Sequence, residues 1–307
     1  MRKFLIFALL IMSSLGARAQ ERPFELSSRY DDQRNAVIEV SYYQGGLYSL
    51  VLHFTELTNL KTPRFQRMEV RRNGTLLTIE PTDPEKATYF SYRYSYVPGV
   101  LNPRRVDTEF VYRLPFGTRS SREMRSMRNA YEMYFGEDAN NVDFKAFQFI
   151  MHRADTVYAA RKGVVVGVVD KHDPLLGMGT VAMNTENNSV SVMHADGTMA
   201  QYGVLEKGSI TVMPGDTVWP DTPIALAGSL DGTEYQLRFM LWYRTDNLSG
   251  IKDLDEWEVT NHYLDPVFAT SAGERTLATG ISYVPVVSKE LIVAEMSKSE
   301  RKARGLR

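Results

Sequence analysis

Residues with the types and spacing for chemistry are sparse in this 307-residue chain. Its five histidines are His53, His152, His172, His194 and His262, and it has no cysteine. Two histidines have an acidic residue within two positions. His172 lies between Asp170 and Asp173, and His194 precedes Asp196 by two positions. A catalytic zinc needs about three ligands of the His, Asp, Glu or Cys type plus an open position for water. Neither cluster has the HExxH spacing that would supply them, and both read as solvated turns. Nucleophilic catalysis has no firmer footing, since there is no Gly-x-Ser-x-Gly elbow, no thiol and no phosphate-binding glycine loop. A strand-like stretch is more informative. Side chains alternate with a period of two along a strand, so Tyr235, Leu237, Phe239 and Leu241 share one face, and Gln236, Arg238 and Met240 the other. Two long polar side chains, one a fixed cation, therefore point the same way.

The elements that must position these residues are mostly β. Seventeen tyrosines and fourteen phenylalanines, grouped with β-branched residues, favour strands. Residues 20–117 read as an N-terminal β-sandwich-like domain, with strands near 37–43, 47–55, 66–72, 75–79, 89–96 and 109–114 and a hairpin signal at Asn73-Gly74. Phe90, Tyr92, Tyr94 and Tyr96 form an aromatic face, read as the inward side of a sheet in preference to a sugar-stacking platform. Residues 118–135 interrupt the β pattern, and Ser120-Ser121-Arg122-Glu123 predicts a short helix or connector. Residues 136–243 return to short strands separated by Gly and Pro, an antiparallel β unit with many close turns. Residues 244–307 form a C-terminal extension. Within it, 289–295 is a short strand or helix, and the basic end from Ser297, carrying Lys298, Arg301, Lys302, Arg304 and Arg307, is a solvated tail.

Charge and targeting signals narrow the setting. Thirty-six basic against thirty-seven acidic residues give a net charge of -1, which lacks the basic footprint of nucleic-acid binders. Residues 1–19 have the layout of a secretory signal: Arg2 and Lys3, an apolar run, then Ala17-Arg18-Ala19 before the expected mature start at Gln20. The apolar run is shorter than the roughly 20 residues a membrane span requires. The expected setting is periplasmic or extracellular, with no disulfides and no lipid-bearing cysteine.

The second β unit resembles the lysostaphin/LytM-type zinc endopeptidases, metallopeptidase family twenty-three, over about a third of the chain. Four segments in order carry the likeness: Asp143-Phe144 with Val157 to Val165; Val192-Met193-His194-Ala195-Asp196-Gly197 with Tyr202-Gly203-Val204-Leu205; Val212-Met213-Pro214-Gly215-Asp216; and Ala227-Gly228-Ser229 running into Gln236-Leu237-Arg238-Phe239. The resemblance implies a compact antiparallel fold of duplicated-hybrid or barrel-sandwich type. It also implies a zinc held by an HxxxD motif and the second His of a His-x-His pair, with two more histidines assisting water. Asp143 matches the metal Asp, but Ala139 stands where the first His belongs. Val204 occupies the Tyr-x-His-Leu histidine position, and Gln236 and Arg238 occupy the pair. Arg238 has no lone pair to give and Val204 can neither bind metal nor carry a proton.

The expectation is therefore a secreted, non-catalytic LytM-like protein with no catalytic or metal residues and no cofactor. The former active-site positions Asp143, Val204, Gln236 and Arg238 would serve binding, to cell-wall peptide, a cell-wall hydrolase or another envelope protein. Two other readings stand beside it: an active zinc endopeptidase of peptidoglycan using displaced ligands, and a structural module of an envelope assembly contacted through the N-terminal β domain.

Overall fold

The computed structural model describes residues 22–118, 120–128, 144–174 and 186–306. The expected signal segment, Ala139 and Asp143 lie outside the described residues. The chain is mostly β, in several mainly antiparallel sheets.

The first unit is a sandwich of two three-stranded sheets. One contains Phe24–Tyr30, Ala36–Tyr42 and Gly74–Ile79, the other Phe65–Val70, Tyr48–Thr58 and Tyr89–Pro98. Alternation explains the layering. Leu50, Leu52 and Phe54 point inward from the central strand and meet Phe24 and Ile38 of the other sheet, all fully buried. Each such side chain contributes about 1.5–3 kcal/mol when withdrawn from water. Phe90, Tyr92, Tyr94 and Tyr96 pack against this core, so the aromatic face is the inner side of a sheet. The Asn73-Gly74 signal does not make a hairpin. The strands on its two sides pair in different sheets, because Gly74 at φ +131° turns the chain across the sandwich while the Asn73 carbonyl oxygen Oδ1 accepts from the Tyr42 amide of the far sheet.

The second unit is built on one large sheet. Its main order is Thr217–Val218, Gly163–Val169, Ser189–Met193, Met199–Gly203, Tyr235–Asp246, Phe147–Ile150, Arg122–Ser126 and Ile281–Tyr283. Its core includes Phe149, Val165, Tyr202, Leu237, Phe239 and Phe268. Two smaller sheets line that core. Thr156–Tyr158 pairs with Pro223–Leu226, and Val267–Thr270 lies between Gly273–Arg275 and Val111–Arg113, parallel to the latter. Tyr112, Leu114 and Phe116 belong to this second core.

Two local expectations give way to tertiary pairing. Arg122–Ser126 is a strand and not a helix, because Met124 enters the core while the backbone pairs with Phe147–Ile150 and Ile281–Tyr283. The basic end is not a loose tail. Lys298–Ala303 is a helix with a capping box between Ser297 and Glu300, and Arg304 pairs with Asp221 at 3.0 Å. Lys289–Val293 is also helical, capped by Ser288.

The two units meet closely. A side chain on Gly45 would place its Cβ 1.8 Å from the Pro214 carbonyl oxygen, and one on Gly99 would meet the Met199 sulfur at 2.7 Å. Arg67 pairs with Asp246 across the contact, and Arg93 with Asp253 and Asp255. Backbone cannot yield to a new methyl as a flexible side chain can. Gly45→Ala is therefore expected to cost about 1–3 kcal/mol in urea unfolding, while Gly117→Ala, with nothing within 4 Å, stays within about 0.5 kcal/mol of the parent.

Candidate functional site

The strand Tyr235–Asp246 sets the site through its pairing register. Arg238 is opposite Gly203 on one side and Gln148 on the other, and Gln236 is opposite Gly228 and Ile150. Because register fixes the direction of every side chain, Gln148, Gln236 and Arg238 face one groove of about 370 Å³. Arg125, Met127, Leu230 and Glu234 also line it. Gln236 Oε1 accepts from Gln148 Nε2 at 2.9 Å and from Arg238 Nε at 3.3 Å. Gln148 Nε2 also reaches Glu234 at 3.4 Å, and Arg125 lies 3.6 Å from the same carboxylate. Gln236 is 6% exposed and Arg238 half-buried, so this polar face is the floor of a groove and not an open, solvated sheet. Burial pushes the Arg238 guanidinium down to about 10, which leaves it cationic at neutral pH.

Val204 follows Gly203 and adopts φ +61°. A β-branched residue in the left-handed region is an outlier, at a cost of roughly 1–2 kcal/mol. Hydrogen bonds on both sides hold it there: its amide donates to Asn187 Oδ1 at 2.8 Å, and its carbonyl accepts from the Gly228 amide at 2.8 Å. The Val204 side chain is 2% exposed. It lines a separate cavity of about 210 Å³ with His172, Asp173, Glu186, Asn187 and Tyr235. Leu230 lines both spaces. The fold thus brings Val204, Gln236 and Arg238 together through the backbone, with their side chains divided between two adjoining hollows.

This trio does not fit zinc. Valine has no donor atom, the guanidinium is a cation, and Gln236 Oε1 already accepts two hydrogen bonds. Among the described residues there is no group of three or more His, Cys, Asp or Glu side chains able to hold a metal ion.

The two histidine clusters also have structural partners. Asp170 accepts the Gly208 amide, Asp173 pairs with Lys207 at 2.7 Å, and the His172 backbone is tied to Asn188. His194 is 1% exposed, contrary to the expected solvated turn. Its Nδ1 sits 2.8 Å from the Lys162 carbonyl, and the Tyr112 ring packs edge-on against it. Burial, and then the Arg161 charge, push His194 down to about 4. Asp196 is held below its usual range: burial opposes this, but the Thr198 and Arg161 contacts outweigh it.

Sequence reasoning missed Gln148, Glu234 and Arg125 in the groove, and Arg161 beside His194. Phe147-Gln148-Phe149 does alternate apolar and polar residues, which puts Gln148 on a polar face. Its neighbour Arg238 is about 90 residues away in sequence and is reached only through pairing.

Two measurements follow from this geometry. Val204→Gly and Val204→Ala both remove the two buried γ-methyls and differ only in Cβ, the atom that makes the left-handed backbone costly; glycine is expected to be the more stable by about 1 kcal/mol. That ranking inverts the usual one, and equal or reversed stabilities in urea would count against strain at this position. His194 sets an acid limit. The unfolded imidazole takes a proton near 6.5 and the folded one only near 4, so the unfolded state binds more protons in that window. Stability is full above pH 6.5 and falls by up to roughly 3 kcal/mol as pH drops towards 4. His194→Gln, which cannot titrate, should flatten the stability profile between pH 6.5 and 4.5.

No protein-family model matches the chain, and no curated protein matches it. Among solved structures it is similar to a zinc containing peptidase from Vibrio cholerae, at 14% identity over 71% of this chain and 82% of that one, with a TM-score of 0.31. It is also similar to Helicobacter pylori Csd3, at 11% identity over 92% and 82%, with a TM-score of 0.30. At such scores the likeness carries no functional argument.

Proposed function

We propose that this chain is a secreted, non-catalytic LytM-like protein that binds cell-wall peptide in the groove beside Tyr235–Asp246. The observation that carries the reading is the half-buried cation of Arg238, set beside the paired amides of Gln148 and Gln236; Gln236 and Arg238 stand where the resembling family has its His-x-His pair. A guanidinium matches a carboxylate in a two-pronged, charge-assisted geometry, and glutamine side chains can exchange hydrogen bonds with an extended peptide backbone. The partial burial of Arg238 strengthens such a contact, because the surrounding dielectric is lower than that of water. Hydrolysis has no comparable support: Val204, Gln236 and Arg238 offer neither a zinc ligand set nor a proton carrier. Regulation of a cell-wall hydrolase fits the same groove, with a peptide segment of that enzyme taking the place of the wall peptide.

Calorimetric titration with soluble peptidoglycan peptides tests the reading. The parent protein is expected to bind, and Arg238→Ala to weaken binding about 10-fold or more, in line with roughly 1.5–3 kcal/mol for a hydrogen bond to a charged group. Arg238→Lys should recover only part of this, since a lysine keeps the charge but not the fork. Unchanged affinity in Arg238→Ala overturns the assignment. So does stoichiometric zinc in the purified protein accompanied by peptidoglycan cleavage.

A further inference from the structure

The C-terminal arm, residues 288–304, is attached to the second unit mainly by charge. Neither of its helices contains a buried residue, and Met296 is its one buried hydrophobic side chain. Beneath the first helix, Leu291 and Ala294 line an open space of about 420 Å³ together with Phe110, Val111 and Ala269. The ionic contacts, by contrast, are close and repeated. Glu295 takes a two-pronged bond from Arg161, with Nε to Oε2 at 2.9 Å and Nη2 to Oε1 at 2.8 Å. Lys162 Nζ reaches the Glu295 carbonyl at 3.0 Å and the Glu300 carboxylate at 2.8 Å. Arg304 adds its pair with Asp221 and lies 4.7 Å over the Trp219 ring.

The arm also holds its own shape. Ser288 and Ser297 cap its helices, and Arg301 donates to the carbonyls of Met296 and Val293. A segment with internal order and mostly ionic attachment can leave without unfolding the body. Arg161 keeps Asp196 and Tyr112 as partners on the body side, so it stays oriented when Glu295 goes. Glu295 and Glu300 thus look chemically like an acidic ligand seated on a prepared pair of cations.

We propose that Arg161 and Lys162 form a docking site for an acidic segment of a partner protein, and that the C-terminal arm occupies it as an internal competitor. The ligand is a short stretch with two carboxylates five positions apart, the spacing of Glu295 and Glu300. Tethering gives the arm an effective concentration in the millimolar range, so a partner must either bind tightly or find the arm released. This proposal is independent of the Arg238 groove.

The experiment uses the full chain and a fluorescent synthetic copy of residues 288–304 as the probe. Glu295→Gln with Glu300→Gln removes the carboxylates in cis. Hydrogen exchange over residues 289–303 is then expected to rise, and the probe to bind at least 10-fold more tightly than to the parent. Adding Lys162→Gln, a half-buried position that spares the buried Arg161, should remove most of that gain, and raising NaCl from 0.1 to 0.5 M should weaken binding. Unchanged exchange in the double variant would show that apolar contacts hold the arm and overturn the proposal. Absence of probe binding to an arm-released chain, or binding indifferent to Lys162→Gln, overturns it equally.

Discussion

The constraint on which the rest of the site depends is the hydrogen-bond register of Tyr235–Asp246. This strand pairs with Met199–Gly203, Phe147–Ile150, Gly228–Ser229 and Val259–Tyr263. A slip of one residue against any of them would turn Leu237 and Phe239 out of the core and drive Arg238 into it. Burial of those two apolar side chains, both fully enclosed, holds the register and with it the direction of Gln236 and Arg238. The polar groove is therefore a by-product of core packing on the opposite face.

The sequence carried the β class, the alternation of the central strand and the inward aromatic face of the first unit, because each is a local, period-two property. It misled wherever a distant partner decided the outcome. Arg122–Ser126 has a helix-start pattern, yet Met124 finds its place in a sheet completed by residues 147–150 and 281–283. Asn73-Gly74 has hairpin composition, but its strands are claimed by two different sheets. His194 beside Asp196 reads as a polar turn, and only the packing of Tyr112 against it shows a buried imidazole. The site was half legible. Gln236 and Arg238 could be seen, while Gln148, Glu234 and Arg125 needed the fold to bring them into range.

Val204 belongs to a third category, visible as a residue but not as a conformation. Nothing in Tyr202-Gly203-Val204-Leu205 marks a left-handed backbone, and valine argues against one. Asn187 and Gly228 impose it through their hydrogen bonds. Strain retained in this way is worth linking to function only when it is actually observed. Here it places Val204 in the lining of the smaller hollow.

The parallel pairing of Val111–Arg113 with Val267–Thr270 bears on the order in which the protein can be assembled. The first sandwich takes its strands from residues 24–98 and can close without any later segment. The second core waits on both ends of a long loop, since Tyr112, Leu114 and Phe116 must meet Phe268 and Tyr283, and closing such non-local contacts is slow. The first unit can therefore form ahead of a second core that is complete only when residues from both ends of that loop have met. The glycine seam at Gly45 and Gly99 gives that late-forming unit a ready surface to settle against.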